Sequence, residues 1–169
     1  MADDTVLDAL AEEYPAWWID LLGEHNHVGG LDATRWLYER SGLAPGRSML
    51  DAGAFVGAAA RFAAGEGAMA YASDMVADFL AAGRRLEHGE RVRWVAADSR
   101  RLPFRAAAFD SVWCLDSTPY PREFTRVARP GATLCLCCEV PADGRGGFEA
   151  LQDEWAALGW GLSPHRPRT

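Results

Sequence analysis

The chain has 169 residues, 49% of them hydrophobic and 24% charged, with a formal net charge of −7. That length and apolar share suit one globular domain with a real core, and the acidic balance excludes the broad basic face that nucleic-acid binding requires. No apolar run is long enough to cross a bilayer, and the start Met1-Ala2-Asp3-Asp4 lacks an apolar leader core, so no membrane contact and a cytoplasmic location are expected.

Apolar residues at helical spacing, Val6, Leu7, Leu10, Tyr14, Trp17, Trp18, Leu21 and Leu22, predict a helical lead-in over residues 4–23 that Pro15 splits in two. The polar stretch Gly23–Gly30 predicts a turn. A helix follows from Leu31 to Ser41, stopped by Gly42 and Pro45-Gly46. Strands and helices then alternate. Ser48–Ala52 is a strand, Ala58–Ala64 a helix, Ala68–Ser73 a strand ending at Asp74, and Val76–Leu86 a helix. Strands follow at Val92–Ala96, ending at Asp98, and at Ser111–Leu115. Arg122–Ala128 is a helix ended by Pro130-Gly131, Thr133–Val140 a strand, Phe148–Leu158 a helix, and Gly161–Ser163 the start of a last strand. This alternation predicts an α/β fold with a doubly wound, mostly parallel sheet. It divides into an N-terminal helical cap segment over residues 1–45 and an α/β core over residues 46–169.

The stretch Met49–Gly57 carries the strongest chemical signal. An apolar strand runs into a glycine-bearing turn and then into strong helix formers, which marks a nucleotide-type cofactor site at the head of a sheet. Asp51, Asp74 and Asp98 close three successive strands, where open α/β sheets bind their ligands. Asp74 lies at the spacing suited to accept from both hydroxyls of a ribose, Met75 is placed to pack on an adenine face, and Asp98 to accept from an exocyclic amine. Any one of these aspartates is an ordinary strand-end residue; three in register point to a site.

These motifs resemble the class I S-adenosylmethionine-dependent methyltransferases of small-molecule type, over Gly46–Val140. Met49–Gly57 resembles the first motif, and Ala72-Ser73-Asp74 the acidic end of the second strand. Ala96-Ala97-Asp98-Ser99, Leu102-Pro103-Phe104 and Phe109–Trp113 resemble the run through the third and fourth strands. Arg126–Gly131 resembles the turn before the fifth. His27-Val28-Gly29-Gly30 with Ala33-Thr34 resembles the lead-in segment of sarcosine- or glycine-methylating relatives. The resemblance implies a Rossmann-like sheet and S-adenosylmethionine as cofactor. The first-motif residues Asp51, Gly53, Ala54, Phe55 and Gly57 would hold it, Gly53 and Gly57 at the methionine part, with Asp74 on the ribose and Met75, Asp98 and Ser99 on the adenine. It implies reacting-centre positions at His27 and Asp116. No metal is expected at His25 and His27, since no third ligand lies at a telling spacing. Methyl transfer relies largely on proximity and alignment, so few catalytic side chains are obligatory.

The chain departs from the family pattern twice. The middle glycine of the first motif is Phe55, large enough to fill the space of the cofactor's amino-acid tail. After the last helix there is room for one short strand where the family adds an antiparallel pair, and Pro141–Gly147 is too short for a substrate lid. An unpaired sheet edge is normally covered, so a second copy or a different chain completing the C-terminal edge is expected, alongside a small-molecule substrate. The expected function is methyl transfer to a small molecule in specialised metabolism. The alternatives are a methyltransferase-fold subunit of a two-chain enzyme catalysing intramolecular displacement or ring closure, with loss of sulfate or phosphate, and a non-catalytic scaffold subunit. Elsewhere the plain readings are preferred. His25 is a solvated turn residue. Cys135 and Cys137 lie on one face of a central strand and Cys138 on the other, as small hydrophobes in a reducing compartment. Trp17, Trp18 and Trp36 belong to the core, and Trp155 and Trp160 to an interface. The pairs Arg84-Arg85 and Arg100-Arg101 are solvated.

Overall fold

Strand β1, Ser48–Ala52, is buried at all five residues, as expected of a strand covered on both faces at the middle of a parallel sheet. The computed structural model describes residues 17–137 and 147–162. Two helices, α1 (Trp17–Leu22) and α2 (Gly30–Ser41), precede β1. After it come α3 (Ala58–Gly65), β2 (Met69–Asp74), α4 (Ala77–Gly83), a 3-10 turn (Gly89–Arg91), β3 (Arg93–Ala96), β4 (Phe109–Leu115), α5 (Pro121–Val127) and β5 (Ala128–Cys137). Helix α6 (Gly147–Ala156) follows.

The five strands are parallel, in the order β3-β2-β1-β4-β5. Winding outward from β1 first one way and then the other leaves a switch point between β1 and β4, where the carboxyl ends of the strands face open space. Asp51 is level with Ala72 of β2 and Trp113 of β4. The core is small-to-large: Ala59, Ala60, Ala63 and Ala64 of α3 lie against Ala70, Ala72, Met49 and Trp113. Alanines let the helix approach the sheet closely, and Trp113 fills the space beyond. Its indole N–H donates to Ser111 Oγ at 2.8 Å, the partner a buried Trp requires.

At the amino end of the sheet, Asp110 Oδ2 accepts from the Ser48 N–H at 2.9 Å, the Ser48 hydroxyl at 2.8 Å and Arg129 at 2.7 Å. Arg47 reaches Oδ1 at 3.2 Å. Burial alone pushes this carboxyl up, but the Ser48 and Arg129 donors outweigh it and hold it at about 2.

Several boundaries differ from expectation. Strand β5 begins at Ala128, through Pro130-Gly131, because Ala128 pairs with Phe109 across a register irregularity at Phe109/Ser111. An edge strand tolerates a proline that has no N–H to give. β5 is the outer strand of the described sheet rather than a central one, so Cys135 is buried but Cys137 only half-buried. Helix α4 stops at Gly83, where a side chain would run into Val56 and the Trp94 ring. The chain then tightens into the 3-10 turn, whose Gly89 carbonyl accepts from the Trp94 indole at 2.9 Å. Arg100 is not solvated; it pairs with Asp98 at 2.6 Å.

The chain divides into two units, Met1–Cys138 and Glu139–Thr169. The described part of the 1–45 segment belongs to the first: Leu37 and Tyr38 pack on the core, and the Thr133 hydroxyl of β5 donates to Ser41 O at 2.8 Å. Trp36 is half-buried beneath Arg40, whose guanidinium lies 4.1 Å from its ring centroid. In the second unit Trp160 packs edge-on to Trp155 at 6.2 Å, and Gly161-Leu162 forms no strand. Cys138, Pro15, Ser163, residues 141–146 and the Trp17 and Trp18 side chains lie outside the described part.

Candidate functional site

The carboxyl ends of β1, β2 and β4 open on a cleft of about 390 Å³. Its floor is the turn after β1. Gly53 (φ 75), Phe55 (φ 53) and Gly57 (φ 65) alternate in the left-handed region, which is how five residues reverse direction between strand and helix. The Gly53 and Ala54 N–H groups both donate to Ser73 O at 2.9 Å, and the Phe55 N–H donates to Asp74 Oδ2 at 2.8 Å. The turn is thereby clasped to the end of β2. A Cβ on Gly53 would run into the Ser117 side chain, so glycine there lets the β1 and β4 loops touch.

Phe55 does not stand free in the cleft. Its ring lies edge-on against Phe79 of α4, centroids 4.5 Å apart. Its backbone conformation costs an L-residue on the order of 1–2 kcal/mol.

Two acidic groups are driven toward neutrality. Asp51 is buried; its Oδ2 accepts one N–H, from Ala60, at 3.2 Å. Burial pushes it up to about 7, against the pull of that N–H and with help from the Asp74 charge. Burial also raises Asp74, against the N–H groups of Val76, Phe55 and Met75. Met75 is exposed at the cleft rim. Asp98 and Ser99 line the far wall, and Asp98 is held by the Arg100 N–H at 2.8 Å and its Nε–H at 2.6 Å.

The opposite wall joins the loop before α2 to the end of β4. Asp116, exposed and left-handed at φ 49, accepts from the Val28 N–H at 2.7 Å and the Cys137 thiol at 3.1 Å. His27 is buried, with Nδ1 3.2 Å from Val28 O and Nε2 2.8 Å from Thr34 Oγ1. A carbonyl only accepts, so Nδ1 carries the proton and the Thr34 hydroxyl serves Nε2. Both ring nitrogens are used inside the protein, which makes His27 a strut for the loop.

His25 departs from the solvated reading: its Nδ1 is buried with no hydrogen-bond partner, and burial, then His27 and Arg61, lower its pKa. Arg61 of α3 is itself buried and ties three stretches together. It donates to Val56 O at 3.2 Å, Glu87 O at 3.0 Å and Glu24 Oε2 at 2.6 Å.

Of the expected site residues, His27, Asp51, Gly53, Ala54, Phe55, Asp74, Met75, Asp98, Ser99 and Asp116 converge on this cleft. Gly57 does not line it. A Cβ there would sit 2.6 Å from the Trp94 ring, so this glycine serves helix–sheet packing. Sequence reasoning missed Leu22, Glu24, Asn26, Phe79, Ser117, Thr118 and Tyr120. The signal available was position: Ser117-Thr118 directly follow Asp116, and Glu24 and Asn26 flank the histidines. Among the described residues no cluster of three or more His, Cys, Asp or Glu side chains is arranged to hold a metal, and no helix is long and apolar enough to cross a membrane.

A parallel sheet wound from its centre, a glycine turn after its first strand and an acidic residue closing the second define a cofactor-binding α/β domain of methyltransferase topology. A model of the methyltransferase domain matches residues 50–136, half of the chain, and the chain belongs to this family, the class I S-adenosylmethionine-dependent methyltransferases. It is 35% identical over 103 residues to demethylmenaquinone methyltransferase of Mycolicibacterium paratuberculosis, covering 57% of this chain and 43% of that one. It is 32% identical over 130 residues to methyltransferase GfsG of Streptomyces halstedii, covering 70% and 45%. The chain therefore spans less than half the length of these relatives. A solved structure of Burkholderia thailandensis 1,6-didemethyltoxoflavin-N1-methyltransferase, with 1,6-didemethyltoxoflavin and S-adenosylhomocysteine bound, superposes with a TM-score of 0.73 at 20% identity. That match covers 97% of this chain and 82% of the other.

Proposed function

We propose that this cleft binds S-adenosylmethionine and that the chain directs its methyl group to a small molecule in specialised metabolism. The observation that carries the reading is the clasp between the first-motif turn and Asp74. The residues present fit the cofactor. Met75 offers a thioether face at the rim, and the Asp74 oxygens keep lone pairs for ribose hydroxyls beyond those taken by Phe55 and Val76. The Phe55 ring is taken up on Phe79, which supports binding despite the lost glycine. When bound, the cofactor supplies a methyl carbon on a sulfonium, open to displacement. The chain's own contribution is to align and shield: His27 and Thr34 fix the 24–30 loop, and Asp116 ties that loop to the end of β4. The match to a structure holding 1,6-didemethyltoxoflavin and S-adenosylhomocysteine supports a small-molecule acceptor.

A second reading rests on Phe55. A bulky residue at that turn suits a methyltransferase-fold subunit that performs ring closure by intramolecular displacement, with a partner, a second copy or another chain, beside β5. Calorimetric titration of the full chain with S-adenosylhomocysteine separates the two. Micromolar binding, weakened at least about 100-fold by Asp74→Ala, is the expected result; that loss corresponds to about 3 kcal/mol. No binding up to millimolar ligand would remove methyl transfer as the function.

A further inference from the structure

We infer that the acceptor molecule carries a basic amine and enters the cleft as an ammonium, with Asp116 as its counter-charge. This rests on the cofactor reading for the origin of the methyl group, but not for the recognition itself.

The cleft is lined by five acidic side chains, Glu24, Asp51, Asp74, Asp98 and Asp116, and by no arginine; the chain has no lysine. Two of the five are already matched: Glu24 by Arg61 and Asp98 by Arg100, each at 2.6 Å. Asp51 and Asp74 close β1 and β2, on the cofactor side. Asp116 is left. It is exposed, it faces the loop wall, and its oxygens accept only an N–H from Val28 and an S–H from Cys137. Among the described residues no cation neutralises it. An acid-lined cleft with low-dielectric walls concentrates cations and repels anions. A carboxylate or phosphate acceptor would meet the unmatched Asp116 charge with no cationic side chain lining the cleft to compensate it, which is discrimination by repulsion. The neighbours Ser117 and Thr118 add neutral hydroxyls, suited to orient an amine without competing for its charge. At about 390 Å³ the cleft lies near the lower end of small-molecule sites, so the acceptor is small.

On transfer, the bound ammonium releases one proton to water at the open mouth. The freed nitrogen lone pair forms the new N–C bond as the S–C bond breaks, and the electron pair of that bond stays on sulfur.

An ammonium at Asp116 has two conceivable sources, an acceptor or the amino group of the cofactor's own tail, and the test separates them. The full chain, labelled with nitrogen-15, is titrated near neutral pH with benzylamine, benzyl alcohol or benzoate, with and without saturating S-adenosylhomocysteine, following amide chemical shifts. The expected result is that benzylamine moves the Val28, Asp116 and Ser117 amides and binds at least about fivefold tighter than benzyl alcohol. Benzoate leaves those amides in place, and the preference for the amine survives S-adenosylhomocysteine. Asp116→Asn cuts the preference to less than about twofold; asparagine tolerates positive φ, so the fold is kept, and amides remote from the cleft report it. Benzoate binding as well as the amine, displacement of the amine by S-adenosylhomocysteine, or a preference undiminished in Asp116→Asn would each overturn the inference. An amine preference in a chain that does not bind S-adenosylhomocysteine would uphold the recognition and sink methyl transfer alone.

Discussion

The two ends of the central sheet treat their aspartates in opposite ways. At the amino end, Asp110 is met by the Ser48 N–H and hydroxyl and by Arg129, with Arg47 alongside, and is held at about 2. At the carboxyl end, Asp51 has one N–H from Ala60, and burial lifts it to about 7. Shortage of arginine is not the reason, since all 17 basic residues are Arg. Arg61 and Arg100 stand close to the cleft but are turned onto Glu24 and Asp98. The contrast separates an end whose aspartate is fully matched from an end that opens on the candidate cleft and leaves its aspartate short of donors, the pattern expected where stability is traded for function.

The largest effect is expected at the stable end. Asp110→Ala strands the Ser48 N–H and the Arg129 guanidinium together, and should destabilise the chain by about 2–4 kcal/mol in urea unfolding. A loss below about 1 kcal/mol would break the comparison. Next comes the pH dependence, where the two ends have opposite signs. The folded value of Asp110 lies below its unfolded one, so its stabilisation is present above about pH 4 and disappears as pH falls toward about 2. The folded value of Asp51 lies above its unfolded one. Its setting is therefore harmless below about pH 4, and stability declines as pH rises toward about 7. Asp51→Asn should abolish that decline, gaining on the order of 2 kcal/mol above about pH 7 and nothing near pH ~4; an unchanged stability–pH curve would contradict the assignment. The smallest effect concerns Phe55. Phe55→Gly and Phe55→Ala both lose the ring contact with Phe79, but only glycine relieves the positive φ. The glycine variant should be the more stable of the two by about 1 kcal/mol, as read by thermal or urea unfolding. Equal stabilities would mean that the turn relaxes around residue 55.

The strand–turn–helix at Met49–Gly57 and the strand-end positions of Asp51, Asp74 and Asp98 were legible because each is local: apolar runs, glycines and aspartates at fixed offsets. What stayed hidden depends on partners distant in sequence. Gly57 reads as a ligand-facing glycine until Trp94, from β3, is seen against it. His27 reads as a candidate base until Thr34 and Val28 take both its nitrogens. Asp110 sits in an unremarkable loop-to-strand junction, and only the pairing of β4 with β1 and β5 brings Ser48 and Arg129 to it. The early start of β5 was concealed by Pro130-Gly131, which signals a break in isolation and is tolerated only because the strand lies at the edge.

Arg61 has a consequence for how the molecule breathes. Its guanidinium is sealed from water and is satisfied by three stretches at once: the turn after β1, the segment following α4 and the loop before α2. Withdrawal of any one leaves a buried charge with unmet donors, a penalty of several kcal/mol. Local fraying of the 24–30 loop is thus tied to the integrity of the sheet behind it. The three stretches are therefore expected to open as one cooperative unit, with matching hydrogen-exchange protection of their amides.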